Sequence, residues 1–498
     1  MKSDQPLRLR RAAALQAVPV FVLVLACALL LVSQAGSDAP WWDQWDAEGR
    51  SLYPAAAAGK VGWEQLSTPH NEHRIFWTQL LNWGLFLAAG QWDPLLQMAV
   101  GSVLRGLVAA ALFFALVRGT HVSRTWLIFA VSVAFSPLLA WHNVLWGFQT
   151  QVYFAALFSL LSIAGFSSPG ASLAPRVLGA TAAFAGLWAM AGVAVIPVVL
   201  GIGVLWKWWL SGRSAPFPWI DLLLAGTLFA FAWVLRVHVP GHESLQPDSV
   251  KEFVAVLLNV LSWPLPEQPI AAAVFNLPGL FFMWTKARER SPSSFAETVA
   301  LMLLLWGWLT ALSIAWSRGG SPELAGGVPS RYVDFVVLLP LANAWSLSWL
   351  LSNRTCTATC RVVAACWGGM LFLCWSAHSL QVWRGVLVHR VADRTAPVRM
   401  LRAYQERGDV RIFVGQPRWL LPHPNLATVK EVLSDLGSRG QLPPSLQPGQ
   451  RPAALCRGIR RILGHREDSR VSPSAQTFNR QAGAGNPPDG FGETSPSR

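Results

Sequence analysis

Apolar runs long enough to cross a bilayer recur along the first 380 residues, separated by short polar stretches. They lie at 12–34, 94–117, 125–141, 150–166, 176–191, 193–210, 217–237, 269–285, 295–316, 331–351 and 362–380. The pattern predicts an all-α polytopic membrane protein with about eleven transmembrane helices. Arg8, Arg10 and Arg11 precede the first run, which is too long for the apolar region of a signal peptide and reads as the first span. The stretch 75–90 (IFWTQLLNWGLFLAAG) either spans or lies along the interface. If it spanned, Arg118 and Arg124 would face outside. If it lies flat, Arg118/Arg124, Arg176, Lys207/Arg213, Lys286/Arg288/Arg290 and Arg354/Arg361 all fall inside, as basic loops do. The second arrangement is expected, with the N-terminus cytoplasmic and the C-terminus extracytoplasmic. Residues 1–380 then form the transmembrane domain, with 35–92 as a first extracytoplasmic loop carrying an interfacial helix. Residues 381–463 form a small extracytoplasmic region, and 464–498, rich in Gly, Pro, Ser and charge, are expected to be disordered.

Composition agrees with this class. Of 498 residues 53% are hydrophobic and 13% charged, about half the charge that a soluble surface needs. The net charge of +14 is unevenly placed. Residues 381–498 hold 18 Lys+Arg and 9 Asp+Glu, whereas 35–74 hold Asp38, Asp43, Asp46, Glu48, Glu64 and Glu72 against Arg50, Lys60 and Arg74. The basic excess is therefore no sign of nucleic-acid binding. The six cysteines suggest no disulfide framework, and the Cys356–Cys360 spacing lacks a second ligand pair for a metal.

Against so apolar a chain, four polar clusters stand out, and the expected topology puts all of them on the outer face. The first is Trp41-Trp42-Asp43-Gln44-Trp45-Asp46 and the second His70-Asn71-Glu72-His73-Arg74. The third runs from Trp141-His142-Asn143 to Trp146, Gln149 and Gln151; the fourth is Ser317-Arg318-Gly319-Gly320 with Ser330-Arg331-Tyr332. Each has a plainer reading. The tryptophans suit an interfacial belt, and Asp43 and Asp46 suit a solvated loop. His70 and His73 could begin a zinc site only with a distant third ligand. Arg318 and Arg331 could pair internally with Asp334 or Glu323. Arg105, alone inside a span, is expected to be a helix-packing or structural ion-pair residue rather than a ligand. The functional reading makes Asp43 or Asp46 a base fenced from water by tryptophan. Glu72, His73 and Arg74 would bind sugar or phosphate, Arg318 and Arg331 phosphate oxygens, and Asn143, Gln149 and Gln151 sugar hydroxyls.

A cytoplasmic N-terminus, a first helix and then an acid-bearing outer loop resemble the GT-C superfamily of polyprenyl-phosphate-dependent glycosyltransferases. More narrowly, WWDQWD, PHNEHRIFW, WHNVLWGFQ, the SRGG and SRY segments, and the ending PHPNLATVKEVLSDLGSRGQLPPSL are similar to a group of bacterial multi-pass, glycosyltransferase-like membrane proteins. The similarity covers residues 1 to about 446. It implies a GT-C-like fold in the inner (plasma) membrane, with Asp43 or Asp46 as catalytic base or metal ligand. His70, Glu72, His73, Arg74, Asn143, Gln149, Arg318, Arg331 and Tyr332 would contact substrate. The implied partners are a polyprenyl-phosphate sugar donor and a glycan or lipid acceptor of the cell envelope, with magnesium or manganese as the cation such a site recruits. The chain departs from the best-known branch in lacking two adjacent acids, which weakens the case for a metal. Two other classes fit the same topology: a transporter or flippase for a lipid-linked glycan, and a non-catalytic scaffold of envelope-polysaccharide assembly.

Overall fold

The computed structural model describes residues 5–170, 172–212, 215–265, 268–353, 357–447 and 454–464. Arg213, Arg354, Cys356 and the tail expected to be disordered, apart from Gly464, lie outside the described residues. Among those residues the chain is helical, with no strand beyond one bridge between His70 and His73. The main helices are α1 (Gln5–Ala35), α2 (Phe76–Ala89), α3 (Pro94–Val117), α4 (Arg124–Ala134), α5 (Thr150–Ser167), α6 (Ala174–Leu187), α7 (Ile196–Leu210) and α8 (Trp219–Val234). They continue with α9 (Val250–Leu261), α10 (Pro269–Glu289), α11 (Phe295–Arg318), α12 (Leu338–Asn353) and α13 (Ala358–Val382). After these come α14 (Ala396–Arg407), α15 (Leu426–Ser438) and α16 (Ala454–Ile462). Eight are long and apolar enough to cross a membrane, counting short helical extensions: α1, α3, α5, α7, α10, α11, α12 and α13. The other three expected spans, 125–141, 176–191 and 217–237, contain the shorter helices α4, α6 and α8.

Side-chain size decides how the helices meet. Along α1, Val20, Val24, Ala28, Leu31, Val32 and Ala35 make one buried stripe at helical spacing. It packs on α3, where a Cβ on Gly106 would meet the Phe21 ring at 2.9 Å. Between α5 and α6 the backbones come closer still, because a Cβ on Gly165 would stand 2.8 Å from Gly179 Cα. At mid-bundle Arg105 is fully buried and bonds Asp334 at 2.5 Å, with Asn143 donating to the same carboxylate at 2.9 Å. Such a pair is tolerable in an apolar interior only because each charge is matched. The structural role expected for Arg105 is what the fold shows.

Hydrogen bonds sort the connectors into two ends. At one end Arg118 lies over the Phe295 ring at 4.3 Å and Lys286 meets Glu297 at 3.2 Å. At the other, His142 N donates to Ser330 Oγ at 3.1 Å and Gly320 N to Leu245 O at 3.0 Å. Both ends of α2 belong to this second group: Phe76 N donates to Trp188 O at 3.0 Å and Trp92 N to Gln441 O at 2.9 Å. Helix α2 therefore begins and finishes at one end of the bundle, as a non-spanning helix must.

The C-terminal segment folds back onto the same end. Trp45, Tyr53, Phe86 and Trp92 of the first loop share a core with Leu401, Val429, Leu433 and Leu436. Burying each such side chain contributes about 1.5–3 kcal/mol. Arg460 on α16 reaches Asp38 at 2.7 Å and Asp93 at 3.0 Å, and so ties the beginning of the loop to its finish. Burial pushes the Asp38 carboxyl up, but the Arg460 charge and hydrogen bonds, with those from Ser445, hold it below its ordinary value.

Candidate functional site

The site is assembled from connectors at the end of the bundle that carries loop one. The segment His70–His73 closes on itself, with His70 N donating to His73 O at 2.8 Å and His73 N to His70 O at 3.0 Å. The turn needs a left-handed residue, and Asn71 supplies it at φ 49°. Trp42 takes φ 50°, a costly conformation for so large a side chain, and its N–H is held by Pro422 O at 2.6 Å. These two strained positions both border the same cavity.

Two chambers meet there. The larger, about 650 Å³, is walled by Trp41, Trp42, Trp141, Trp146, Phe148 and Trp419 and carries Asp43, His70, Gln149 and Gln151. The smaller, about 430 Å³, lies beside α8 and α11 and is mainly apolar, with Leu187, Ala194, Phe229, Trp233 and Trp316 among its walls. Phe229, Trp233 and Trp316 are 50%, 68% and 62% exposed, so this chamber opens sideways on the face that would meet lipid. Glu72, His73, His242, Arg318 and Tyr332 line both chambers and form their junction.

Charge at the junction is paired but replaceable. Glu72 Oε1 accepts from His242 Nδ1 and Arg318 Nη2. Burial pushes the Glu72 carboxyl up, and the His242 hydrogen bond with the Arg318 charge more than offsets this, so it stays low and ionised. Glu323 likewise accepts from Arg331 at 2.5 Å and Arg418 at 2.5 Å, which keep it ionised against burial. Burial pushes His73 down to about 4, and His142 is also driven down by burial and by Arg331, Arg390 and Arg418, so both rings are neutral at pH 7. Six buried polar atoms on residues lining the larger chamber have no hydrogen-bond partner in the protein: Trp41 Nε1, Trp42 Nε1, His70 Nε2, Glu72 Oε2, His73 Nδ1 and Gln151 Oε1. Unmet groups cost about 1–3 kcal/mol each, and this mixture of donors and acceptors matches a hydroxyl-rich ligand.

The four sequence clusters converge here, but their members differ in role. Asp43, His70, Glu72, His73, Gln149, Arg318, Arg331 and Tyr332 line the larger chamber, with Asp43 Oδ2 at 3.5 Å from His70 Nε2. Arg74 lines only the smaller one; its Nε donates to Leu235 O at 3.2 Å at the C-terminus of α8, and it lies over Trp188 at 5.3 Å. Asp46 borders neither chamber and accepts from His423 Nε2 at 2.9 Å. That hydrogen bond lowers the Asp46 carboxyl, while His423, pushed down by burial, is raised on balance by the same contact. The two acids thus take different partners, Asp43 facing His70 at the chamber wall and Asp46 facing His423 outside it. Asn143 also stands behind the wall: it donates to Asp334 at 2.9 Å and to Arg331 O at 3.1 Å, so it positions Arg331. Arg331 uses Glu323, one of the two internal partners expected for it, whereas Asp334 is taken by Arg105.

Sequence reasoning overlooked His242, Arg418 and Trp419. His242 stands in the polar connector after α8, another stretch expected on the outer face, and that placement was the available signal. Arg418 and Trp419 had none, since only the fold of the C-terminal segment brings them over the chamber, Arg418 at 4.2 Å from the Trp42 ring. Glu48 was also passed over. It is fully buried and accepts from Gln97 at 2.8 Å, Asn82 at 2.9 Å and Tyr53 at 3.1 Å, and burial pushes it up to about 7.

A resident divalent cation does not suit this donor set. Glu72 and Glu323 each hold two cationic or histidine partners, and a hard cation needs several free oxygen ligands. Among the described residues no group of three or more His, Cys, Asp or Glu gathers as ligands. No protein-family model matches the chain, and no curated protein or solved structure is similar to it. The likeness to the GT-C superfamily thus rests on the motifs alone.

Proposed function

We propose that the chain is a GT-C-like glycosyltransferase of the bacterial inner membrane. It crosses eleven times, with the N-terminus cytoplasmic and the C-terminus extracytoplasmic, and moves a sugar from a polyprenyl-phosphate donor to an envelope glycan or lipid. The observation that carries this reading is the junction of two chambers of unlike chemistry. One is apolar and open sideways, suited to a polyprenyl chain; the other is polar and tryptophan-walled, suited to sugars; Arg318 stands where a phosphate would join them.

In the proposed reaction the acceptor hydroxyl attacks the anomeric carbon from the side opposite the phosphate. The new carbon–oxygen bond forms as the bond to the phosphate oxygen breaks, and configuration inverts. Asp43, at the wall of the larger chamber, takes the hydroxyl proton, and His70 beside it stabilises its orientation. Arg318 exchanges Glu72 for the phosphate and stabilises the charge that accumulates on the leaving polyprenyl phosphate. No step passes through a metal. The tryptophan walls exclude water, which would otherwise compete as acceptor.

The test compares Asp43→Asn with Asp46→Asn, each at wild-type expression, by extracytoplasmic glycan product. The expected loss for Asp43→Asn is about 10²–10⁴-fold. For Asp46→Asn it is below about tenfold, since only packing is disturbed. Full product from both variants overturns the reading. A transporter is the competing class, and robust flipping of lipid-linked sugar in proteoliposomes lacking acceptor would favour it.

A further inference from the structure

A second cavity lies far from this site. Helices α4, α12 and α13, of 11, 16 and 25 residues, wall a groove of about 650 Å³. Trp126, Phe129, Leu351, Gly369, Phe372 and Trp375 are among its walls. The most apolar stretch of the span containing α13 is 11% buried, whereas those of the other seven candidate spans are 33% to 78% buried. Helix α13 thus stands off the bundle and leaves the groove uncovered.

The groove has polarity. Arg361, in the first turn of α13, is the only charged residue lining it among the described residues, and it sits at the end opposite the candidate site beside Ser123 and Ser352. From Arg361 to Trp375 the helix rises about 21 Å, more than the roughly 15 Å of one hydrocarbon leaflet. A groove of about 650 Å³ drawn out over that length has the elongated shape of a hydrocarbon chain. A second copy related by a two-fold axis would set Arg361 against its own counterpart.

We propose that this groove holds an acyl chain of an anionic glycerophospholipid whose headgroup phosphate pairs with Arg361. The lipid completes the bundle beside α4 and covers α13. This is independent of the glycosyltransferase reading, since its measurement involves no transfer.

The experiment is native mass spectrometry of the detergent-purified full chain after incubation with equal phosphatidylglycerol and phosphatidylcholine of matched acyl chains. Wild type is expected to retain phosphatidylglycerol about fivefold over phosphatidylcholine, as one basic residue at an anionic headgroup provides. Arg361→Gln should abolish the preference while still retaining lipid. Gly369→Phe should expel both lipids; a Cβ there meets nothing within 4 Å, so the backbone tolerates the change. Equal retention of both lipids by wild type, or a preference that survives in Arg361→Gln, overturns the proposal. So does loss of a dimer in Gly369→Phe with bound lipid unchanged, which would make a second copy the occupant.

Discussion

At the end away from the chambers, charges close the bundle locally: Lys286 meets Glu297 at 3.2 Å, Arg176 meets Asp221 at 3.0 Å, and Lys207 donates to Phe166 O at 2.9 Å. Each joins neighbouring helices near their termini, and Glu297 also completes the capping box of α11. At the chamber end the partners are remote in sequence, with Glu72 and Arg318 246 positions apart and Glu323 and Arg418 95 apart. There the same types of pair line a cavity in which a ligand can take over one partner. Lys286 and Glu297 also border a cavity, of about 360 Å³, but their side chains are 4% and 13% exposed, against 20% and 24% for Arg318 and Glu72, so depth of burial separates the two ends.

Three substitutions break or sharpen that contrast. Asp334→Asn leaves Arg105 buried without its counter-charge beneath the chambers, and should cost about 3–5 kcal/mol of stability; thermal unfolding in detergent measures it. Arg318→Gln should lower transfer by about 10²–10³-fold with little change in unfolding temperature. Lys286→Met, its counterpart at the far end, should leave transfer unchanged, and the contrast between the ends fails if both variants affect transfer equally.

Glu48 gives a pH test. Its folded value of about 7 exceeds the ordinary 4.5, so between those values the folded chain keeps a proton that the unfolded chain has lost. Stability should therefore fall as pH rises from 4.5 to 7, by up to about 3 kcal/mol, and Glu48→Gln should flatten the slope. Unfolding temperatures at pH 5 and pH 8 compare the two proteins. The smallest effect belongs to His423. Its raised value and the lowered value of Asp46 make their contact strongest from about pH 4 to 6.5, weakening as pH climbs through the His423 value. Asp46 is 40% exposed, so solvent screens the contact and the contribution is under about 1 kcal/mol. Protease access to residues 414–425 should rise between pH 6 and pH 9, and His423→Gln should be open throughout.

What could be read from the sequence follows from scarcity. In so apolar a chain, WWDQWD, HNEHR and the SRGG and SRY segments were conspicuous, and they do meet at one cavity. The helices were legible for the same reason, although α4, α6 and α8 are shorter than their apolar runs because turns at Phe135, Trp188 and Leu235 end them early. The difference between Asp43 and Asp46 was hidden, since their spacing does not show which partner each acid meets. Arg418 and Trp419 were hidden more deeply. Their role depends on a chain reversal stabilised by Arg460 with Asp38 and Asp93, and no local pattern encodes contacts across four hundred residues.

That reversal also sets an order of events during synthesis. Arg418 and Trp419 follow the last apolar helix in the chain, so every membrane-inserted helix is made before the larger chamber acquires its outer wall. A nascent chain that has made all its apolar helices but not yet folded the C-terminal segment back still lacks Arg418 for Glu323 and Pro422 for the Trp42 amide. Completion of the larger chamber is thereby coupled to docking of the C-terminal segment, the last part of the chamber to be synthesised.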